Sequence, residues 1–230
     1  MARNQHLPQS PLNPLPPVVW AIALPMIVLE CILQLADRGL IGGAQGVGWR
    51  MMVLARMAFS PDQFMWMLQT GNFPPVELAR LLTYSFVHVS FSHAAFVVVF
   101  VLALGKFVGE LFRPVSLAIL YLGSAVGAAV IYALLGQSVP LVGGYAGAFG
   151  LIGAFSFVLW VRLGEQGEPQ WRAFGMIGML MGVRLIFGLL FGSSPDWIAD
   201  LAGFAVGFAL SFVLVPGGPK RLLEHLRERR

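Results

Sequence analysis

Six apolar runs of spanning length alternate with polar breaks along the chain. A helix that crosses a bilayer needs about 20 mostly apolar residues. The first run is PVVWAIALPMIVLECILQLA, residues 17–36, with Pro25 as a kink position. The second lies within 89–110, the third near 115–135, the fourth near 141–162, the fifth near 172–191 and the sixth near 197–215. From the second run onward the breaks are short, and the exception is 37–88, between the first two runs. The pattern predicts an all-α membrane protein: a six-transmembrane-helix bundle with a long amphipathic first loop.

That loop carries its own pattern. GWRMMVLARMAF and SPDQFMWML are too short to span, and they hold Trp49, Trp66, several methionines and two arginines. Ser60-Pro61 is a good helix start, a capping hydroxyl followed by a proline whose missing N–H costs nothing in the first turn. Two short helices are expected here, lying at the outer interface, a depth that aromatic and arginine side chains favour.

Composition makes the membrane reading firm. The chain is 57% hydrophobic and 11% charged, where a soluble domain carries about 25% charged residues. The polar, proline-rich MARNQHLPQSPLNPLPP lacks a secretory signal pattern. One cysteine, Cys31, excludes an internal disulfide and a cysteine-based metal site, and nothing else points to a metal or cofactor. The net charge of +4 is not a nucleic-acid footprint, because the basic residues sit at segment ends. With a cytoplasmic N-terminus, ten of them fall on the cytoplasmic side: Arg3, Lys106, Arg113, Arg162, Arg172 and five in the tail KRLLEHLRERR. Only Arg38, Arg50, Arg56 and Arg80 fall opposite, which favours both termini inside. Residues 1–16 then read as a disordered cytoplasmic tail, 17–215 as the membrane domain with 37–88 its interfacial loop, and 216–230 as a basic cytoplasmic tail. That last segment is either a helix on anionic lipid or a solvated topology signal.

Ionisable groups inside apolar runs change the picture further, since such groups mark function by default. His93, Tyr145 and Asp200 each fall about one turn below the outer end of their helix, so three helices place a polar group at one level. Arg184 lies deeper in the fifth run and can reach Asp200, in which case the pair only neutralises itself. Gly123/Gly127, Gly143/Gly147, Gly178/Gly182 and Gly203/Gly207 repeat small residues four apart, the spacing that lets helices pack closely in lipid.

Four stretches in chain order resemble the rhomboid family of intramembrane serine proteases in its six-helix bacterial form. RLLTYSFVHVSFSH, 80–93, is similar to R-x-x-T-x-x-x-x-H-x-x-x-x-H, with Arg80, Thr83, His88 and His93 in place. LGKFVGE, 104–110, is similar to the G-x-x-x-E stop, with one extra residue before Glu110. VGGYAGAFGLIGAF, 142–155, is similar to V-G-A-S-G-A-x-F-G-L-x-G-A-F, and ADLAGFAVGF, 199–208, to A-H-x-x-G-x-x-x-G. Gly143, Gly150, Gly203 and Gly207 match the family's glycines, which the resemblance assigns to close packing of the fourth and sixth helices. The resemblance covers 17–215.

The departures fall together. Laid on without a gap, Tyr145 stands where the family has its nucleophilic serine; with a one-residue gap, Ala146 does. Asp200 stands at the catalytic histidine and Val97 at an asparagine that holds the oxyanion, while His93 is retained. A tyrosine–aspartate dyad is poorly matched: reference pKa values of about 10 and 3.9 put proton transfer uphill by roughly 8 kcal/mol. Losing an oxyanion donor removes a few kcal/mol more. Ser85, Ser90, Ser92, Ser193 and Ser194 do not follow the motif, although Ser90 and Ser92 are close to His88 and His93 in sequence.

The resemblance with these replacements implies a rhomboid-like pseudoprotease that binds transmembrane segments of client proteins without cleaving them. Its partners would be those segments, the lipid bilayer and another membrane protease or complex, and its place a bacterial inner membrane. The alternatives are an active intramembrane serine endopeptidase with a non-standard site, a structural subunit of a membrane complex, or a small transporter using His93, Asp200 and Arg184. The absence of a hydropathy repeat counts against the last.

Overall fold

The computed structural model describes residues 15–191 and 194–216. The expected N-terminal tail up to residue 14, Ser193 and the basic C-terminal tail therefore lie outside the described residues. The described residues form ten α-helices: α1 (Pro17–Asp37), α2 (Gly43–Gly46), α3 (Trp49–Met57), α4 (Pro61–Thr70), α5 (Pro75–Thr83), α6 (Phe91–Gly109), α7 (Pro114–Leu134), α8 (Tyr145–Glu165), α9 (Gly175–Phe191) and α10 (Trp197–Leu214). No strand occurs among the described residues, only an isolated antiparallel bridge between Phe59 and Leu141. Among the described residues five helices are long and apolar enough to cross a membrane: α1, α6, α7, α8 and α10. The remaining expected span is α9, which at 17 residues is shorter than the others.

Helix α8 is the centre of the bundle. Its residues from Ala146 to Ala154 are buried without a break, as in a helix that is apolar on every face and surrounded by others. Glycine lets α10 lie directly on it. A Cβ at Gly203 would strike the backbone of Ala146, and one at Gly207 would strike the backbone of Gly150. Helix α7 closes the other flank, with the Tyr121 ring over Gly147 and Ser124 over Gly150. Gly127 of α7 receives Val206 of α10. The glycine pairs of α7 and α10, and Gly147 and Gly150 of α8, thus mark real contacts, whereas Gly143 of the expected fourth-run pair lies before α8. The fifth-run pair does not: a Cβ at Gly178 or Gly182 would meet nothing within 4 Å. That expectation of a contact is corrected, because α9 turns this face away from the bundle.

The first loop is more helical than its sequence suggests. Helices α3 and α4 fall where two were expected, and Ser60 caps α4 by accepting a hydrogen bond from Gln63 N at 3.3 Å. Helix α5 was not foreseen, although Pro75 at its first turn and Glu77 beside its N-terminus are ordinary start signals. Phe59, Phe64 and Met67 bury themselves against Ala125, Ala128 and Ala129 of α7, so α4 is docked on the bundle.

A candidate functional site at one end of the bundle

Where α6, α8 and α10 begin, their first turns converge, and short segments before them aim their side chains. The segment before α6 is anchored from below: Tyr84 Oη donates to Ala125 O at 2.7 Å and Tyr121 Oη to Ser85 O at 3.4 Å. It is anchored from the side by Arg50 of α3, whose Nη1 donates to His88 O at 3.0 Å. Arg50 is held in turn by Glu30 at 2.9 Å and Asp37 at 2.8 Å, both on α1. Thr83 Oγ1 donates to Met57 O at 3.2 Å, which ties α5 to the end of α3. Ser90 then caps α6 by accepting from His93 N at 3.3 Å.

The segment before α8 is extended rather than helical, which corrects the expected start near 141. Leu141 exchanges two backbone hydrogen bonds with Phe59, and Gly143 N donates to Tyr84 O at 2.9 Å. Gly143 has φ 98°, a conformation other residues rarely adopt, and it faces the His93 ring with no room for a Cβ. Gly144 N donates to His88 Nε2 at 3.4 Å. Tyr145 is therefore the first residue of α8 rather than one turn inside it.

These segments bring His93 and Tyr145 face to face, ring centroids 5.1 Å apart and planes 16° from parallel. His88 meets the edge of His93 at 5.1 Å, and Phe100 meets Tyr145 edge-on at 6.4 Å. A stacked pair cannot hydrogen bond ring nitrogen to phenol oxygen, so this His93 ring is not placed to take the Tyr145 proton. His93 Nε2 is buried without a hydrogen-bond partner. His88, outside the span, has a pKa lowered to about 3, chiefly by burial and then by the neighbouring His93 and Arg50, so it is neutral near pH 7.

Asp200, in the first turn of α10, is buried and turned toward α9. Its Oδ2 accepts from Arg184 Nη1 at 2.6 Å, and Arg184 Nη2 lies 2.8 Å from Asp196 Oδ1. The Arg184–Asp200 pair was legible as a possibility. Asp196 was missed, though it sits one turn before Asp200 and was readable as a second acid at the same helix start. Glu30 and Arg50 were missed as well, and an acid within the first apolar run was the signal.

The other candidates sort by place. Val97 and Ala146 are buried, and a Cβ at Gly144 would come within 2.8 Å of Val97 Cγ1. Arg80 makes a within-helix pair with Glu77 at 3.4 Å and does not reach the site. Glu110 lies just past α6, at the far end of the bundle. Ser85 Oγ donates to Leu82 O, and Ser90 and Ser92 lie 3.2 Å from each other. Among the described residues no serine hydroxyl is hydrogen bonded to the ring of His88 or His93. Nor does any group of three His, Cys, Asp or Glu side chains there suit a metal ion.

The Rhomboid domain family model matches residues 75–217, from α5 through the end of α10. The chain belongs to the rhomboid family. It is 28% identical over 165 residues to Rhomboid-like protease 3 of Toxoplasma gondii, covering 69% of this chain and 61% of that one. It is also 28% identical over 136 residues to RHOMBOID-like protein 4 of Arabidopsis thaliana, covering 59% of this chain and 34% of that protein. The matches span less than two thirds of either relative's length. The rhomboid domain so matched holds the whole site, His88, His93, Tyr145, Arg184, Asp196 and Asp200, while α1 to α4 precede it.

Proposed function

We propose that this rhomboid is a pseudoprotease: it binds transmembrane segments of other proteins laterally and does not cleave them. One observation carries the reading. At the helix starts that face one another, the nucleophile's position holds Tyr145 stacked on His93, and the base's position holds Asp200 engaged by Arg184. A nucleophile needs a base within hydrogen-bond reach, and this pairing does not offer one. Val97, apolar, stands where an oxyanion donor would be needed.

What stays useful is an accessible scaffold with an unreactive cavity. Clients would approach between α6 and α9, helices on which Val99 and Met179 expose about two thirds of their surfaces, 61% and 64%. Retained clients would be shielded, or presented to another membrane protease or complex. The distribution of basic residues supports both termini on the cytoplasmic side, and the resemblance to the six-helix bacterial form supports a bacterial inner membrane.

The test is site-directed photocrosslinking in liposomes with purified single-span peptides of defined sequence. Probes at Val99 and Met179 are expected to capture intact peptide, and a probe at Val28 on the exposed face of α1 is not. Equal capture at all three positions, or shortened peptide in the adduct, would count against client binding of this kind.

A further inference from the structure

We propose that the cleft between α1 and α6 is a binding site for one glycerophospholipid, with an acyl chain in the cleft and the phosphate on Arg38. Helices α1 and α6 run antiparallel and touch closely at the end away from the functional site. There a Cβ at Gly105 would come within 2.9 Å of Val19, and one at Gly109 within 2.7 Å of Pro16. Toward the other end they part, and a cleft of about 630 Å³ opens between them. Met26 and Ala94 form its buried floor, and Leu35 and Phe91 are exposed at its rim.

The cleft has the dimensions and polarity of one leaflet. From Met26 to Arg38 it follows α1 for about 18 Å at the helical rise. Half of a hydrocarbon core is about 15 Å. Its lining is mostly apolar, and the polar residues lie along the half of α1 that ends at Arg38. The Glu30 carboxylate is not free to repel a phosphate, since Arg50 and Gln34 donate to it at 2.9–3.0 Å. Asp37 is likewise engaged by Arg50. The Arg38 guanidinium has no hydrogen bond or ion pair with any described residue. An unpaired guanidinium at the mouth of an apolar cleft complements a phosphate that carries a hydrocarbon chain. Free phosphate would leave the cleft unfilled, and a diacylglycerol would leave Arg38 unpaired.

The chain supplies its own reporter, because its one cysteine, Cys31, lines the cleft and is exposed. The intact protein in detergent micelles would be titrated with dioleoyl phosphatidylglycerol, dioleoylglycerol or inorganic phosphate. Retained adducts would be read by native mass spectrometry, and cleft occupancy by the rate of Cys31 alkylation with a maleimide. Phosphatidylglycerol is expected to leave a one-lipid adduct and to slow alkylation about tenfold, and the other two to do neither. R38Q should weaken retention about tenfold, the loss of one charge-assisted hydrogen bond, with unchanged thermal unfolding. A95W, which fills the cleft, should slow alkylation without lipid and abolish the adduct. Equal retention of dioleoylglycerol, or an R38Q variant that binds like the parent, would overturn the proposal.

Discussion

Tyr145 and Asp200 each have a partner, and neither partner is the other. The tyrosine ring lies on His93, and the aspartate is bonded to Arg184. Arg184 is shared with Asp196, so losing the arginine and losing Asp200 are not equivalent. Arg184→Ala leaves Asp200 buried without a counter-ion and is expected to cost about 3 kcal/mol of stability. Asp200→Ala leaves Arg184 with Asp196 and is expected to cost clearly less. Thermal unfolding in micelles orders the two. His88 makes a second prediction. Its pKa is lowered to about 3 in the fold against about 6.5 in an unfolded chain, so below pH 6.5 the unfolded state binds the extra proton. The stability this neutral histidine contributes is present above pH 6.5 and falls away as pH drops toward 3, by about 2 kcal/mol at pH 5. His88→Gln should flatten that part of the pH profile, and melting curves at pH 7 and 5 check it. At this scale the sequence revealed His93, Tyr145, Arg184 and Asp200 because each interrupts an apolar run. It offered the Arg184–Asp200 pair as one possibility and concealed the stack of His93 on Tyr145, which depends on how the segment 141–144 delivers α8.

At the scale of elements, apolar length alone located the five spans α1, α6, α7, α8 and α10, because lipid requires continuous helices of that length. The boundary of α8 was misplaced by four residues, and the reason is local. Val142-Gly143-Gly144 is apolar enough to read as helix, yet Gly143 takes a positive φ and Leu141 pairs with Phe59. The glycine repeats were legible as a pattern but not in their significance. Gly207→Ala sets a Cβ against the Gly150 backbone and is expected to destabilise by about 1–3 kcal/mol. Gly178→Ala meets nothing and should be neutral or stabilise by up to about 1 kcal/mol, from helix propensity. Denaturation of the two variants side by side distinguishes a packing glycine from a merely repeated one. If Gly178→Ala were the more damaging, the placement of α9 would be wrong.

Across the whole molecule, the rhomboid domain runs from α5 onward, and α1 with the first-loop helices braces it through Glu30, Arg50 and the backbone of His88. Family membership was legible because its motifs fix backbone geometry: glycines where α8 and α10 touch and a histidine beside Gly144. Activity is a separate matter, because it depends on a few side chains that the same backbone can carry or lack. The central claim is that this scaffold does not cleave. The most direct measurement is a liposome assay of the purified protein against a panel of single-span substrates, run with a fluorophosphonate label and with Tyr145→Phe and Asp200→Ala. No product and no label are expected for the parent and both variants. Product from the parent that disappears in either variant would contradict the account and make Tyr145 or Asp200 part of a working protease.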